Sequence, residues 1–354
     1  MAAGLAGAYR QDGHTVHWVA ADIASHPHRG HADDHPFACW NTAEDRFGFP
    51  WPVPRPGALR RLAREVRWCD VVHMHDTLYL ANVLAFWLAR RAGKPILVTQ
   101  HAGEVPFGRR PLRWLQAMGH RVLSRPLLAR ADKVAFDSRP VLEYFQAFCR
   151  FRADPIVIEL GVDTTDAGSP ADRGALRREL GLPDGVVLLF VGRFVERKGV
   201  DLIREVAGAR PDWNWVMVGR AGDEDPASWG LSNVQVRERL SRSELTQLYR
   251  ACDLLVLPST GEGGYPPLVV REAMACGLPA VVSREVADGS DAAARGQLFS
   301  TERGGAALGA AIAAALPTLS PRVSAEARRL AVECWDLKRQ TALYTRTLTA
   351  LLPT

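Results

Sequence analysis

LLVLPSTGEGGYPPLVVREAMACGLPAVVS, residues Leu254 to Ser283, is the stretch on which the fold turns. It reads as an apolar strand, a glycine- and proline-rich turn, a short helix and a second apolar strand. Pro266 and Pro267 lack N–H groups and preset φ, which suits a helix's first turn. Gly277 fits the position just past the helix end. The helix N-terminus therefore points unpaired amides at the loop, where an anionic ligand is favoured. Glu262 and Glu272 flank the turn, and a carboxylate there can accept hydrogen bonds from the vicinal diol of a ribose or hexose. An ordinary strand–turn–helix with both acids solvated fits the same letters.

GVVLLFVGRFVERKGVDLIREV, Gly185 to Val206, narrows the choice. The continuous apolar run Val186–Val191 predicts a parallel strand covered on both faces. A basic loop follows, and then a helix with Leu202, Ile203, Val206 and Ala207 at helical spacing. Arg193 and Lys198 thus fall at the C-terminal end of a parallel strand, the edge at which open α/β sheets bind ligands. Two cations there suit a diphosphate, Arg binding bidentately and Lys acting as a point charge. A solvated basic loop is the alternative.

Together these stretches resemble the retaining glycosyltransferases of family 4, which have the GT-B fold. The matching residues are VGRFVERKGVDLI, VMVGRAG, LYRACDLLVLPS and EGGYPPLVVREAMACGLPAVVS, and the resemblance runs more weakly over nearly the whole chain. It implies an α/β protein of two Rossmann-like parallel-sheet domains facing across a cleft. It also implies a nucleotide-sugar site of Gly192, Arg193, Lys198, Gly263, Gly264 and Glu272. Arg193 and Lys198 would hold the diphosphate and Glu272 the ribose hydroxyls. Glu262 would lie against the donor sugar, and His101 near the reacting carbon. One departure stands out: nine residues lie between Glu262 and Glu272, two more than the family's usual spacing, and Gly264 occupies the place expected for the first acid.

The implied reaction moves a hexosyl group from a nucleotide diphosphate sugar to an acceptor with retention. Fixed cations and helix amides can stabilise the departing diphosphate without a metal. No DxD-type acid pair follows a strand, and Asp223, Glu224 and Asp225 are the acids to exclude by test. With no assigned nucleophile, the resemblance favours front-face attack, a diphosphate oxygen taking the acceptor proton. A GT-B isomerase or hydrolase of nucleotide sugars, or a non-catalytic nucleotide-sugar-binding subunit, fits the same motifs.

At 354 residues the chain is long enough for two domains, and 47% apolar with 23% charged residues is a soluble globular composition. The net charge of +5 rests on arginine, since Lys94, Lys133, Lys198 and Lys338 are the only lysines. That excess fits an anionic small substrate, a membrane surface or nucleic acid, but no nucleic-acid-binding motif accompanies it. Six scattered cysteines without a CxxC pair favour a reducing cytoplasm and no structural zinc. No apolar run approaches a membrane span, and the apolar start at Met1 lacks the basic region of a signal peptide. No GxGxxG follows a first strand, which argues against a dinucleotide oxidoreductase.

In chain order, residues 1–20 read as a helix, a stop at Gly13 and a strand from Thr15. The resembled family has a first strand and a glycine-rich loop before this helix. Without them the N-terminal domain lacks its first strand, or the native chain starts further upstream. Residues 24–57 read as a long irregular connection whose histidines 26, 28, 31 and 35 are solvated rather than a metal set. Helices at Leu59–Trp68, Leu78–Arg91 and Val141–Phe148 alternate with strands at Asp70–His75, Pro95–Thr99 and Lys133–Ser138, giving a parallel sheet. His101 ends one strand. His73 and His75 share one face, as structural residues or an acceptor-side wall. Residues 108–133 interleave eight basic side chains, Arg109 to Lys133, with apolar ones. Such a segment can lie on an anionic membrane or grip an acidic acceptor; otherwise it is a domain helix with a solvated arginine side.

The second domain's strands are expected at 186–191, 214–218, 254–257 and 279–282. The division reads as an acceptor-side domain over 1–155, a nucleotide-sugar domain over 156–330, and a helix over 331–354 crossing back to the first. The implied setting is cytoplasmic, with peripheral contact to the inner membrane face through 108–130.

Overall fold

The computed structural model describes residues 2–22, 34–40, 52–103, 110–165, 173–238, 240–262, 265–288 and 298–352. The chain divides into two compact units, Met1–Leu160 with Lys338–Thr354, and Gly161–Leu337.

The first unit opens on the helix Ala2–Gln11, which ends before Gly13 at φ 90°. The strand expected from Thr15 does not form there. Only an isolated Trp18–Asp34 bridge precedes β1, Ala21–Asp22. His17 bonds instead to Glu65 and stacks on Trp68 of the helix Pro56–Trp68. The irregular connection also needs correction. It holds β2, Phe37–Trp40, parallel to β1, and β3, Val53–Pro54, antiparallel to β2. Proline flanks mask these short strands, and Pro54 is tolerated because β3 is an edge strand.

A separate four-stranded sheet follows, of β4 (Val72–His75), β5 (Ile96–Gln100), β6 (Lys133–Phe136) and β7 (Ile156–Val157), all parallel and in sequence order. Among the described residues β4 is paired along one edge alone. Strand alternation sorts the core. Ile96 and Val98 pack with Phe86, Leu128, Val134, Phe136 and Phe145, while Leu97 joins Leu5, Tyr9, Ile158 and Tyr344. Tyr344 belongs to the helix Leu337–Thr349.

The second unit is a six-stranded parallel sheet: β8 (Val186–Val191), β9 (Trp213–Val218), β10 (Val234–Arg237), β11 (Leu254–Leu257), β12 (Ala280–Ser283) and β13 (Leu298–Thr301). Its order is β10-β9-β8-β11-β12-β13, the doubly wound arrangement. The order reverses between β8 and β11, and outside their carboxyl ends such sheets open a crevice. Leu188, Phe190, Trp215, Met217, Leu255 and Val281 are fully buried, which is why these strands read as unbroken apolar runs. Cutting Phe190 to Ala costs about 3–5 kcal/mol by loss of burial and the cavity left behind. β10 and β13 were not anticipated. They are four-residue edge strands, and β10 is half-buried along its length. Val162 N donates to Trp335 O at 2.7 Å and Thr164 Oγ1 to Asp336 at 2.6 Å, which fastens the unit's start to its end. Among the described residues, no single helix is long and apolar enough to cross a membrane.

Candidate functional site

Beyond β8 the backbone stays tied to the sheet. Gly192 N donates to Val218 O at 2.9 Å and Phe194 N to Arg220 O at 3.0 Å. Between them Arg193 is exposed, and among the described residues no hydrogen bond or ion pair holds its guanidinium. A single 3-10 turn, Glu196–Lys198, ends at Gly199 with φ 72°. Only glycine fits there: a Cβ would lie 2.7 Å from Pro258 Cγ and 2.8 Å from the Pro258 carbonyl oxygen. Pro258 follows β11, and Thr260 N donates to Arg197 O at 2.9 Å. The two loops at the switch point are thereby stitched together. Their union brings Lys198 Nζ onto Glu262 Oε1 as an ion pair, each side chain about 15% exposed.

Glu272 sits on the helix Leu268–Ala275, which starts behind Pro267 and runs out before Gly277 at φ 78°. Tyr249, from the helix Arg242–Ala251, donates its hydroxyl to Glu272 Oε2 at 3.3 Å. Burial raises the Glu272 pKa above the usual glutamate value, against the charge of Arg242 and the Tyr249 bond, which lower it. Glu262 and Glu272 share no partner among the described residues. Gly263 and Gly264 lie outside the described residues. Arg271, inconspicuous in the sequence, is wholly buried. Its Nε donates to Pro266 O at 2.8 Å, and its guanidinium lies over Trp335, 5.1 Å from the ring centroid. Arg271 thus anchors the proline turn from within. Two of the three acids after β9 have partners. Asp225 accepts from Ala227 N at 3.1 Å, and Glu224 pairs with Arg204 at 3.8 Å.

The carboxyl edge of the four-stranded sheet carries a second group. His101 Nδ1 meets Asp137 Oδ2 at 3.2 Å, and its Nε2 meets His75 Nδ1 at 2.9 Å. His73 is on the same face, as alternation requires, and bonds Tyr9 through Nδ1 at 3.1 Å and Thr99 through Nε2 at 2.8 Å. Burial opposes charge on His101, yet the Asp137 hydrogen bond and the Asp76 and Asp137 carboxylates raise its pKa above the histidine norm. Burial drives His75 well below that norm, helped by charge on His73 and His101. Burial and His101 push His73 down to about 3. Asp76 and Asp137 were missed from the sequence, where the signal was an acid just past a strand end in HMHD and AFDS.

Residues 1–166 match the family described as Glycosyltransferase Family 4, and residues 185–319 the one described as Glycosyl transferases group 1. A D-inositol 3-phosphate glycosyltransferase from Segniliparus rotundus is 29% identical over 257 residues, covering 64% of this chain and 54% of that protein. The chain spans about half the length of the curated relatives it matches. Sucrose-phosphate synthase from Thermosynechococcus elongatus superposes with a TM-score of 0.70 at 19% identity, over 98% of this chain and 92% of that one. Anabaena Alr3699/HepE, solved in complex with UDP and glucose, superposes at 0.67 with 22% identity, over 83% and 81% of the two chains.

Proposed function

The chain belongs to the family 4 glycosyltransferases, and from that premise we propose that it moves a hexosyl group from a nucleotide diphosphate sugar to an acceptor with retention. The observation that carries this reading is the pair of cations at the switch point. Arg193 and Lys198 stand in the loop after β8, and the stitched β11 loop supplies Glu262 beside Lys198. The C1–O bond to the diphosphate breaks while the bond from C1 to the acceptor oxygen forms. The acceptor's proton passes to a diphosphate oxygen. Negative charge grows on the leaving group, and fixed cations stabilise it more in the transition state than in the ground state. Glu272 is the residue for the ribose hydroxyls, and Glu262 for the hexose once Lys198 turns to phosphate.

In this reading the charge is handled by side chains rather than a metal; Asp225 already accepts from Ala227 N and Glu224 from Trp229 Nε1. UDP-glucose is the first donor to try, since the Anabaena neighbour was solved with UDP and glucose. The reading extends to peripheral contact with an anionic membrane through residues 108–130. There Trp114 is 67% and Val122 58% exposed among arginines.

The test is a thermal-shift panel of UDP-, GDP-, ADP- and dTDP-sugars with and without EDTA, followed by NMR of the product's anomeric proton. One donor family should raise the Tm by mass action, and turnover should survive chelation with retained configuration. Inverted product, or rescue of a chelated enzyme by manganese alone, would reverse the corresponding part. Donor breakdown without acceptor at the full rate would make the protein a hydrolase or isomerase.

A further inference from the structure

The histidine group at the edge of β4, β5 and β6 is built as a wire. The His75 and His101 rings are tilted by only 5° with centroids 5.2 Å apart, the geometry of an in-line bond between coplanar imidazoles. Asp137, 1% exposed, backs the His101 end. Asp76 holds the loop in place. It adopts φ 63°, a left-handed conformation uncommon for a non-glycine residue, and its Oδ1 accepts from Gln100 Nε2 at 3.1 Å, His101 N at 3.0 Å and Ala102 N at 3.3 Å. Asn82 Nδ2 fixes the other end, donating to His75 O at 2.6 Å and Asp76 O at 2.9 Å. Both ring nitrogens of His101 and of His73 are occupied. Nε2 of His75 ends the wire, with no partner among the described residues.

We propose that His75, rather than His101, presents a ring nitrogen to ligand at this edge, donating Nε2–H to a sugar hydroxyl, and that Asp137 and His101 are positioning residues that set its polarity. Only the identity of the ligand as a sugar rests on the glycosyl-transfer reading. The logic is tautomeric. Asp137 accepts from His101 Nδ1–H in either protonation state. When His101 is neutral, its Nε2 accepts from His75 Nδ1–H, so His75 Nε2 is left an acceptor. When His101 is protonated, its Nε2–H donates to His75 Nδ1, which forces the proton of neutral His75 onto Nε2. One proton on His101 therefore inverts the free end of the wire from acceptor to donor. The groups facing the pair favour the protonated form: Asp76 and Asp137 are acidic, while His73, Tyr9 and Tyr344 stand neutral around it.

The experiment is a pH titration of the full chain labelled with 15N-histidine, read by NMR, beside the pH profile of KM for UDP-glucose. His75 should show the Nε2–H tautomer while His101 is protonated and switch to Nδ1–H as His101 loses its proton. Asp137→Asn should bring the switch about 1–3 pH units lower, the size of effect one neighbouring charge exerts. KM for UDP-glucose should rise along the same curve. His75→Ala should lower kcat/KM about tenfold, and His75→Gln, whose amide nitrogen lies near the place of Nε2, should recover part of it. A His75 tautomer that is constant with pH, and unmoved by Asp137→Asn, overturns the wire whether or not the enzyme turns over UDP-glucose. An intact switch with unchanged kcat/KM in His75→Ala overturns the ligand contact. A wild type that turns over no nucleotide sugar overturns the glycosyl-transfer reading, and the titration still decides the wire.

Discussion

At the scale of single residues, Lys198 and Glu262 set the problem of the site. They are 64 positions apart, so no local pattern in the sequence joins them; the stitching of Thr260 to Arg197 does. Arg193, Lys198 and Glu272 were legible because each stands at a strand end or on a helix with a recognisable turn before it. Asp137 was not, because a carboxylate past a strand looks like any loop acid until the neighbouring strand brings His101 against it. Arg193→Ala and Lys198→Ala should each lower kcat/KM by about 10²–10³, the effect of removing one preorganised donor to a developing anion. The two glutamates should respond with opposite sign. Glu262→Gln removes an anion from the lysine that receives the diphosphate, so UDP should bind more tightly by calorimetry. Glu272→Gln weakens the acceptor of two ribose hydroxyls, so UDP should bind less tightly. Equal and like-signed changes would mean that one of the two carboxylates has been given the wrong role.

At the scale of elements, legibility followed burial. β8 and β11, covered on both faces, announced themselves as apolar runs, whereas β2, β3, β10 and β13 are only partly buried and did not. The turn after β8 is the element most open to test. Gly199→Ala forces a Cβ against Pro258 in a left-handed backbone, at a cost of about 1–3 kcal/mol in urea unfolding. It should also weaken UDP binding, since the same turn carries Lys198. An alanine variant of wild-type stability would show that the two loops are not locked together. The segment after β5 also resolves at this scale. A helix, Arg110–Gly119, runs into a π-helical turn, His120–Ser124, and a short helix, Arg125–Leu128. It buries His120, Ser124, Leu127 and Leu128 and leaves Trp114, Leu115, Met118 and Val122 exposed beside Arg113, Arg121 and Arg125. The segment thus buries one side and, unlike a domain helix whose exposed side is arginine alone, leaves apolar side chains exposed among the arginines. Co-sedimentation with phosphatidylglycerol vesicles should exceed that with phosphatidylcholine, and should fall several-fold in Trp114→Ala with Val122→Ala. Equal sedimentation with both lipids would remove the membrane role.

At the scale of the molecule, the two units share an architecture but not a titration chemistry. The alternation of strands and helices made both legible as parallel α/β units; what it could not convey is how unevenly the histidines are used. All ten lie between His14 and His120, in the first unit, and the second has none. His73 takes up its proton only near pH 3 when folded, against about 6.5 in an unfolded chain. A histidine with a depressed folded pKa favours the fold fully above the unfolded value, and the benefit drains away as pH falls towards the folded one. His75 acts in the same direction. So does Glu65, where burial works against the carboxylate but the hydrogen bonds to His17 and His35 prevail and lower its pKa. His101 acts oppositely: its contribution is present below about 6.5 and is lost as pH rises through its raised folded value. Below about pH 6.5 the two depressed histidines act alone, and Glu65 joins them only below its unfolded value of about 4.3, so the first unit should lose stability steadily from about pH 6.5 to pH 4. The second unit has only carboxylates to titrate and should hold until the lower end of that range. Hydrogen exchange read by mass spectrometry, corrected for the intrinsic pH dependence of exchange, separates the units. Peptides over β4–β7 should lose protection on mild acidification while those over β8–β11 keep it. His73→Asn, which cannot take up a proton, should blunt the loss. Simultaneous loss in both units, or a first unit indifferent between pH 7 and pH 5, would contradict the assignment of acid sensitivity to the buried histidines.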